Sequence, residues 1–188
     1  MAQAKSLTQN EIDQMLRYIA TKKMGYRDRV IFLMTVWSGM RIKEVACLRI
    51  RDVMNEDGTI KGEIKLTPEM TKGRHARVVF VAQKLKTELA QYLASRPTRY
   101  PDLPLFHSVS GKAFSANLLS QHFHWLYKNA GLSGASSHSG RKTFLTTLAN
   151  KGISIHILAS LAGHRNIAVT SRYLTANDEL KRNAVELV

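Results

Sequence analysis

The sequence predicts an α+β domain that is mainly α-helical, with one small antiparallel β-sheet. Three observations support this. Apolar residues recur at helical spacing through most of the chain, as at Ile12, Met15, Leu16 and Ile19. The period breaks in one place, where the β-rich runs "IKGEIKL" and "ARVVFV" flank "TPEMTKGRH", a loop punctuated by Pro and Gly. The helical segments also carry their own start and stop signals.

Taken in order, Thr8 and Glu11 form a capping box that opens the first helix. A second apolar helix covers about Asp28 to Ser38 and stops near Gly39, and a short third runs from about Ile42 to Leu48. After the two strands, "AQKLKTELAQYL" returns to helix with Leu85, Leu89, Tyr92 and Leu93 on one face. "RPTRYPDLP" reads as a loop. Ser115 caps a helix expected to turn Leu118, Leu119, Phe123 and Leu126 inward. Another helix spans about Ser139 to Asn150 and stops at Gly152. Ser154 caps the next, which stops at Gly163.

No repeat, low-complexity tract or Pro/Ser-rich linker interrupts the 188 residues, so the expectation is a single domain with a substantial core. No stretch approaches the roughly 20 apolar residues of a membrane span. "MAQAKSLTQNE" lacks the apolar centre of a signal peptide. Cys47 is the only cysteine, which excludes an internal disulfide and fits a cytoplasmic protein. The charge is more informative: 28 Lys and Arg against 14 acidic residues leave a net +14, a field that attracts polyanions. The basic residues are spread along the chain rather than gathered on one amphipathic helix, which favours nucleic acid over a membrane surface.

Several chemistries find no motif. There is no G-x-x-x-x-G-K-[ST] loop, no G-x-S-x-G elbow, no H-E-x-x-H and no paired-cysteine pattern. His122 and His124 lie two apart on a predicted helix and point in different directions. What remains is a set of cations and donors at element boundaries. Arg41 follows Gly39, with Glu44 one turn on to brace it. Lys72 sits in the strand-connecting loop. His138 and Arg141 share a helix face at i, i+3. His164 follows a glycine stop, and Tyr173 lies nine residues beyond it. Singly, each reads as a surface cation, a helix cap or a core tyrosine; together they resist that reading.

In order, "SGMRIKEVACLRIRDV", "TKGRHARVVFV", "HSGRKTF" and "LAGHRNIAVTSRYL" resemble the arginine box, lysine hairpin, His-x-x-Arg box and terminal tyrosine box of the tyrosine recombinases, the phage integrase family. The resemblance covers nearly the whole chain. It implies the catalytic-domain fold of that family and strand cleavage and rejoining through a 3′-phosphotyrosyl intermediate. Tyr173 would be the nucleophile, Arg41 and Arg141 the phosphate clamp, and Lys72 the general acid. His138 would manage the tyrosine proton, His164 would hydrogen-bond the phosphate, and Glu44 would orient Arg41. It implies no cofactor, neither metal nor ATP. The partner it implies is double-stranded DNA, bound as a homotetramer, with room for accessory DNA-bending proteins and for a monomer when free. A bacterial or phage-derived setting follows, with integration, excision and inversion all open.

Some features depart from the family pattern. The expectation is one catalytic domain over 1–188, with an arm at 1–7, a tail at 174–188 and no N-terminal core-binding domain. Leu180, Ala184 and Leu187 give the tail an apolar stripe, suited to docking on itself or on a neighbouring protomer. Gly140 stands where a large apolar residue is usual and is expected to loosen packing beside His138 and Arg141. Phe80 replaces a common proline, with no expected cost. Two rival readings keep the same basic surface: a DNA-binding module without catalysis, and a small type IB topoisomerase.

Overall fold

A computed structural model describes residues 4–71 and 73–173, together with Arg182, Val185 and Glu186. The elements are α1 (Gln9–Ala20), α2 (Gly25–Ser38), α3 (Ile42–Cys47), α4 (Ile50–Val53), β1 (Glu63–Leu66), β2 (Arg77–Phe80), α5 (Gln83–Ala94), α6 (Ala116–Asn129), α7 (Ser139–Asn150), α8 (Ile155–Ala162) and α9 (Ile167–Ser171). A short 3₁₀ turn, Pro68–Met70, lies between the strands. The mainly helical α+β expectation therefore holds. Among the described residues no helix is long and apolar enough to cross a membrane.

Helix α2 is the centre of the packing, against α1, α5 and α7. Val30 to Met34 are all fully buried, so this helix is apolar around its whole circumference, as a helix surrounded by others must be. It starts three residues before the expected Asp28, because its N-cap, Met24, makes no side-chain capping bond that sequence could reveal. Tertiary contacts hold that end instead. Arg27 and Asp28 are 3% and 2% exposed and paired, and His122 Nε2 lies 3.0 Å from the same carboxylate.

Strands β1 and β2 pair antiparallel, with Glu63 opposite Phe80 and Leu66 opposite Arg77. Ile64, Leu66 and Val79 face the core. Two short helices were not foreseen: α4 has four residues and α9 five, too few for an apolar period to show. Residues of the expected arm pack down. Leu7 is buried, and its N–H donates to Thr143 Oγ1 on α7 at 2.7 Å. The tail stripe of Leu180, Ala184 and Leu187 lies outside the described residues.

Two expectations are corrected. Leu118 points outward and is 44% exposed; the inward stripe of α6 is Leu119, Phe123, Leu126 and Tyr127, and Leu118 sits one position off it. Gly140 tightens packing instead of loosening it. A Cβ there would lie 2.0 Å from Thr35 Oγ1 and 2.8 Å from Thr35 Cβ, so α7 crosses α2 at a distance that only glycine permits.

Candidate active site

The turn from α2 to α3 places the first cation. Gly39 has φ +65°, and a Cβ there would meet the Phe144 ring at 2.4 Å, so both backbone and space require glycine. Two residues later Arg41 caps α3. Its N–H donates to Glu44 Oε2 at 2.8 Å and its Nη1 to Glu44 Oε1 at 2.9 Å. The Glu44 carboxylate is fully buried and takes a second arginine as well. Arg77 Nε and Nη2, from the start of β2, donate to Oε1 at 3.2 Å and Oε2 at 2.6 Å. Arg77 Nη1 donates to the Leu161 carbonyl in α8 at 2.9 Å.

The second centre is Arg141, in the first turn of α7 and 5% exposed. It donates through Nη1 to the Gly39 carbonyl and through Nη2 to the Ala162 carbonyl, at 2.6 and 2.5 Å. Both acceptors lie at helix C-terminal ends, where a cation is electrostatically favoured. Nη2 also lies 3.1 Å from His164 Nε2. A guanidinium only donates, so Nε2 accepts here and the ring proton sits on Nδ1, facing Thr170 Oγ1 at 2.9 Å. The His164 ring stacks on Tyr173, with centroids 6.2 Å apart and planes at 14°.

Arg41, His138, Arg141, His164 and Tyr173 line one cleft of about 310 Å³. His138 enters it as the N-cap residue of α7. Lys72 lies outside the described residues, although its neighbour Thr71 is buried and its Oγ1 accepts from the His75 N–H at 3.0 Å. Sequence reasoning missed two residues as members of the site, Arg77 and Thr170. The signal for Arg77 was present: in "ARVVFV" it shares a strand face with the inward Val79, and an arginine on an inward face needs a buried partner. Thr170, fully buried, offered none beyond its distance from His164. Among the described residues no group of three or more His, Cys, Asp or Glu side chains is placed to hold a metal ion.

The model of the phage integrase family matches residues 5–179. The chain belongs to that family. Tyrosine recombinase XerA from Pyrococcus furiosus is 30% identical over 97% of this chain, which spans 61% of that relative's length. Among solved structures, the Tn1549 transposon integrase bound to a circular intermediate DNA matches at TM-score 0.78 and 20% identity, over 100% of this chain and 67% of that one. The catalytic domain of bacteriophage HP1 integrase matches at TM-score 0.66 and 20% identity, over 94% and 92% respectively. The fold is thus that of an integrase catalytic domain.

Among the described residues of this family member, the site is starved of negative charge. Burial, then the charges of Arg41 and Arg77, lower the Arg141 pKa to about 9. Burial, then Arg141, Arg41 and Arg77, lower that of His164 to about 4, so at neutral pH the imidazole is uncharged. Burial works to raise the Glu44 carboxyl, but hydrogen bonds and charge from Arg77, with help from Arg41, bring it below its ordinary value. Three guanidiniums around one carboxylate leave a cationic excess that an anion in the cleft would relieve.

A pH dependence of stability follows from His164. Between its free value of 6.5 and its folded value of about 4 the unfolded chain takes up a proton that the folded chain refuses. Stability therefore falls as pH drops through that window and is unaffected by this group above it. Thermal midpoints measured from pH 7 to pH 4 should fall less steeply in His164→Gln than in the parent. Superimposable profiles would rule out the assignment.

Proposed function

We propose that this chain is the catalytic part of a site-specific DNA recombinase that cuts and rejoins strands through a 3′-phosphotyrosyl link. The observation that supports this most is the single cleft shared by Arg41, Arg141, His138, His164 and Tyr173. A DNA phosphodiester is an anion whose in-line displacement builds charge on its non-bridging oxygens. Planar multi-donor guanidiniums match those oxygens better than an ammonium. The cationic excess at Arg41 and Arg141 suits that load.

The Tyr173 phenolic oxygen attacks phosphorus and the bond to the 5′-oxygen breaks, leaving the 3′-phosphate on the tyrosine. The phenolic proton passes to His138, and Lys72 protonates the departing 5′-oxygen. His164 hydrogen-bonds a phosphate oxygen once Nε2 carries the proton; the Thr170 hydroxyl, able to donate or accept, permits that change of tautomer. One ester replaces another, so the link stores the bond energy and a second 5′-hydroxyl reverses the step without ATP. Charge stabilisation comes from arginine rather than from a metal. Double-stranded DNA is the substrate, held by four protomers, with sequence choice shared with segments that the longer relatives carry.

The test is a nicked duplex containing the crossover sequence, on which the short fragment bearing the released 5′-hydroxyl diffuses away after cleavage. The parent should yield a protein–DNA adduct that survives denaturation, and Tyr173→Phe should yield none. An adduct formed equally by the Phe variant would overturn the nucleophile assignment. Binding without any adduct would favour the non-catalytic module.

A further inference from the structure

We infer that Arg77 is a positioning residue of this site: it neutralises the buried Glu44 carboxylate, so that Arg41 keeps donors for an anion, and it ties that pair to the end of α8 that leads to His164. The inference rests on the anion-binding reading of the cleft.

The carboxylate of Glu44 has no exposed surface and receives four hydrogen bonds, two from Arg41 and two from Arg77. The two arginines divide the work unequally. Arg77 is 8% exposed, grips Glu44 with a two-pronged fork and spends a third donor on Leu161. It therefore has little left to offer a ligand. Arg41 is 22% exposed, lines the cleft and, among the described residues, commits one side-chain nitrogen, Nη1, to Glu44. Its remaining guanidinium donors are available to the cleft.

Remove Arg77, and among the described residues Arg41 is the counter-charge that still hydrogen-bonds the buried carboxylate. A desolvated anion left half-paired draws in the nearest donors. Arg41 would then turn its fork onto Glu44 and away from the cleft. The second contact acts on His164. A Cβ on Gly163, at φ +62°, would stand 2.6 Å from Arg77 Cδ, so the α8 stop and the Arg77 stem are fitted to each other. The same side chain thereby sets the path of the backbone that enters His164.

The test compares the parent with Arg77→Met, Arg77→Lys and the double variant Arg77→Met/Glu44→Gln, at a temperature where each is folded. Two readouts are used: the single-turnover rate of adduct formation on the nicked duplex, and the rise in thermal midpoint given by inorganic phosphate. Arg77→Met should slow the chemical step by about 10–100-fold, the usual cost of losing a group that orients a site residue, and should shrink the phosphate effect. Adding Glu44→Gln should recover about tenfold of the lost rate, since the carboxylate that captures Arg41 is gone. A purely structural role predicts the reverse, a further loss.

Arg77→Lys supplies charge without the fork and should fall between parent and Met; it also carries the test if the Met variant does not fold. An Arg77→Met or Arg77→Lys rate within twofold of the parent would overturn the inference, as would a double variant no faster than the single. If the parent forms no adduct on any duplex, the recombinase reading fails by itself. The phosphate arm then still decides on Arg77, because equal phosphate stabilisation across all variants would defeat it.

Discussion

Arg141→Lys is expected to slow adduct formation by about 10²–10³-fold, the cost of removing one preorganised donor from a developing oxyanion, even though it preserves charge. The reason lies in how Arg141 is held. Its two terminal nitrogens reach three partners, the Gly39 and Ala162 carbonyls and His164. A lysine ammonium is a single atom and cannot span α2 and α8 together. At least one buried carbonyl would lose its partner, at about 1–3 kcal/mol, and the His164 ring would lose the contact that holds it beside Arg141. The variant should therefore show both a slow chemical step and a lower thermal midpoint, whereas a mere loss of long-range attraction to DNA would change binding alone. Single-turnover rates at saturating DNA separate the two, and a lysine enzyme within fivefold of the parent would refute the bridging role.

Gly140→Ala should destabilise the protein by about 1–3 kcal/mol, the usual cost of overpacking a core, despite a helix-propensity gain of about 1 kcal/mol. The new Cβ would sit inside the contact distance of Thr35 Oγ1 and Cβ. Thr35 is fully enclosed and its hydroxyl donates to the Phe32 carbonyl at 2.7 Å, so it cannot simply swing aside. The helices must part instead, and Arg141, the next residue on α7, moves with them. The midpoint should fall by several degrees, at about 2–4 °C per kcal/mol for a chain of this size. Adding Thr35→Ala removes the closer of the two clashes and should restore part of the loss. A Gly140→Ala protein as stable as the parent would mean that α7 and α2 have slack at this crossing.

Both predictions come from contacts between residues far apart in the chain, and that marks the boundary of what could be read in advance. Helix α1 was legible because Thr8 and Glu11 lie one turn apart and cap the helix locally. The glycine stops at Gly39 and Gly163 were legible as punctuation, and both have positive φ. The start of α2 was not, since no local capping bond marks it. Helical spacing alone points Leu118 inward, because a stripe one position wide is easily mistaken for its neighbour. At the site, Glu44 bracing Arg41 could be seen from a spacing of three residues. Its second partner, Arg77, comes from a strand 33 residues away.

By itself, then, the amino-acid sequence determined the mainly helical class, the order of the longer elements, the basic character and the chemical identity of five residues that line the cleft: Arg41, His138, Arg141, His164 and Tyr173. The first three depend on short-range periodicity, capping or composition; the last rests on the four boxes that resemble those of the family. The tertiary structure alone decided that Glu44 is shared by two arginines, that Arg141 bridges two helix ends, that Thr170 backs His164 and that Gly140 is a point of contact. Those facts depend on how helices cross and which buried groups then face each other. Burial makes an unpaired charge or a misplaced methyl group costly only once the chain has closed around it.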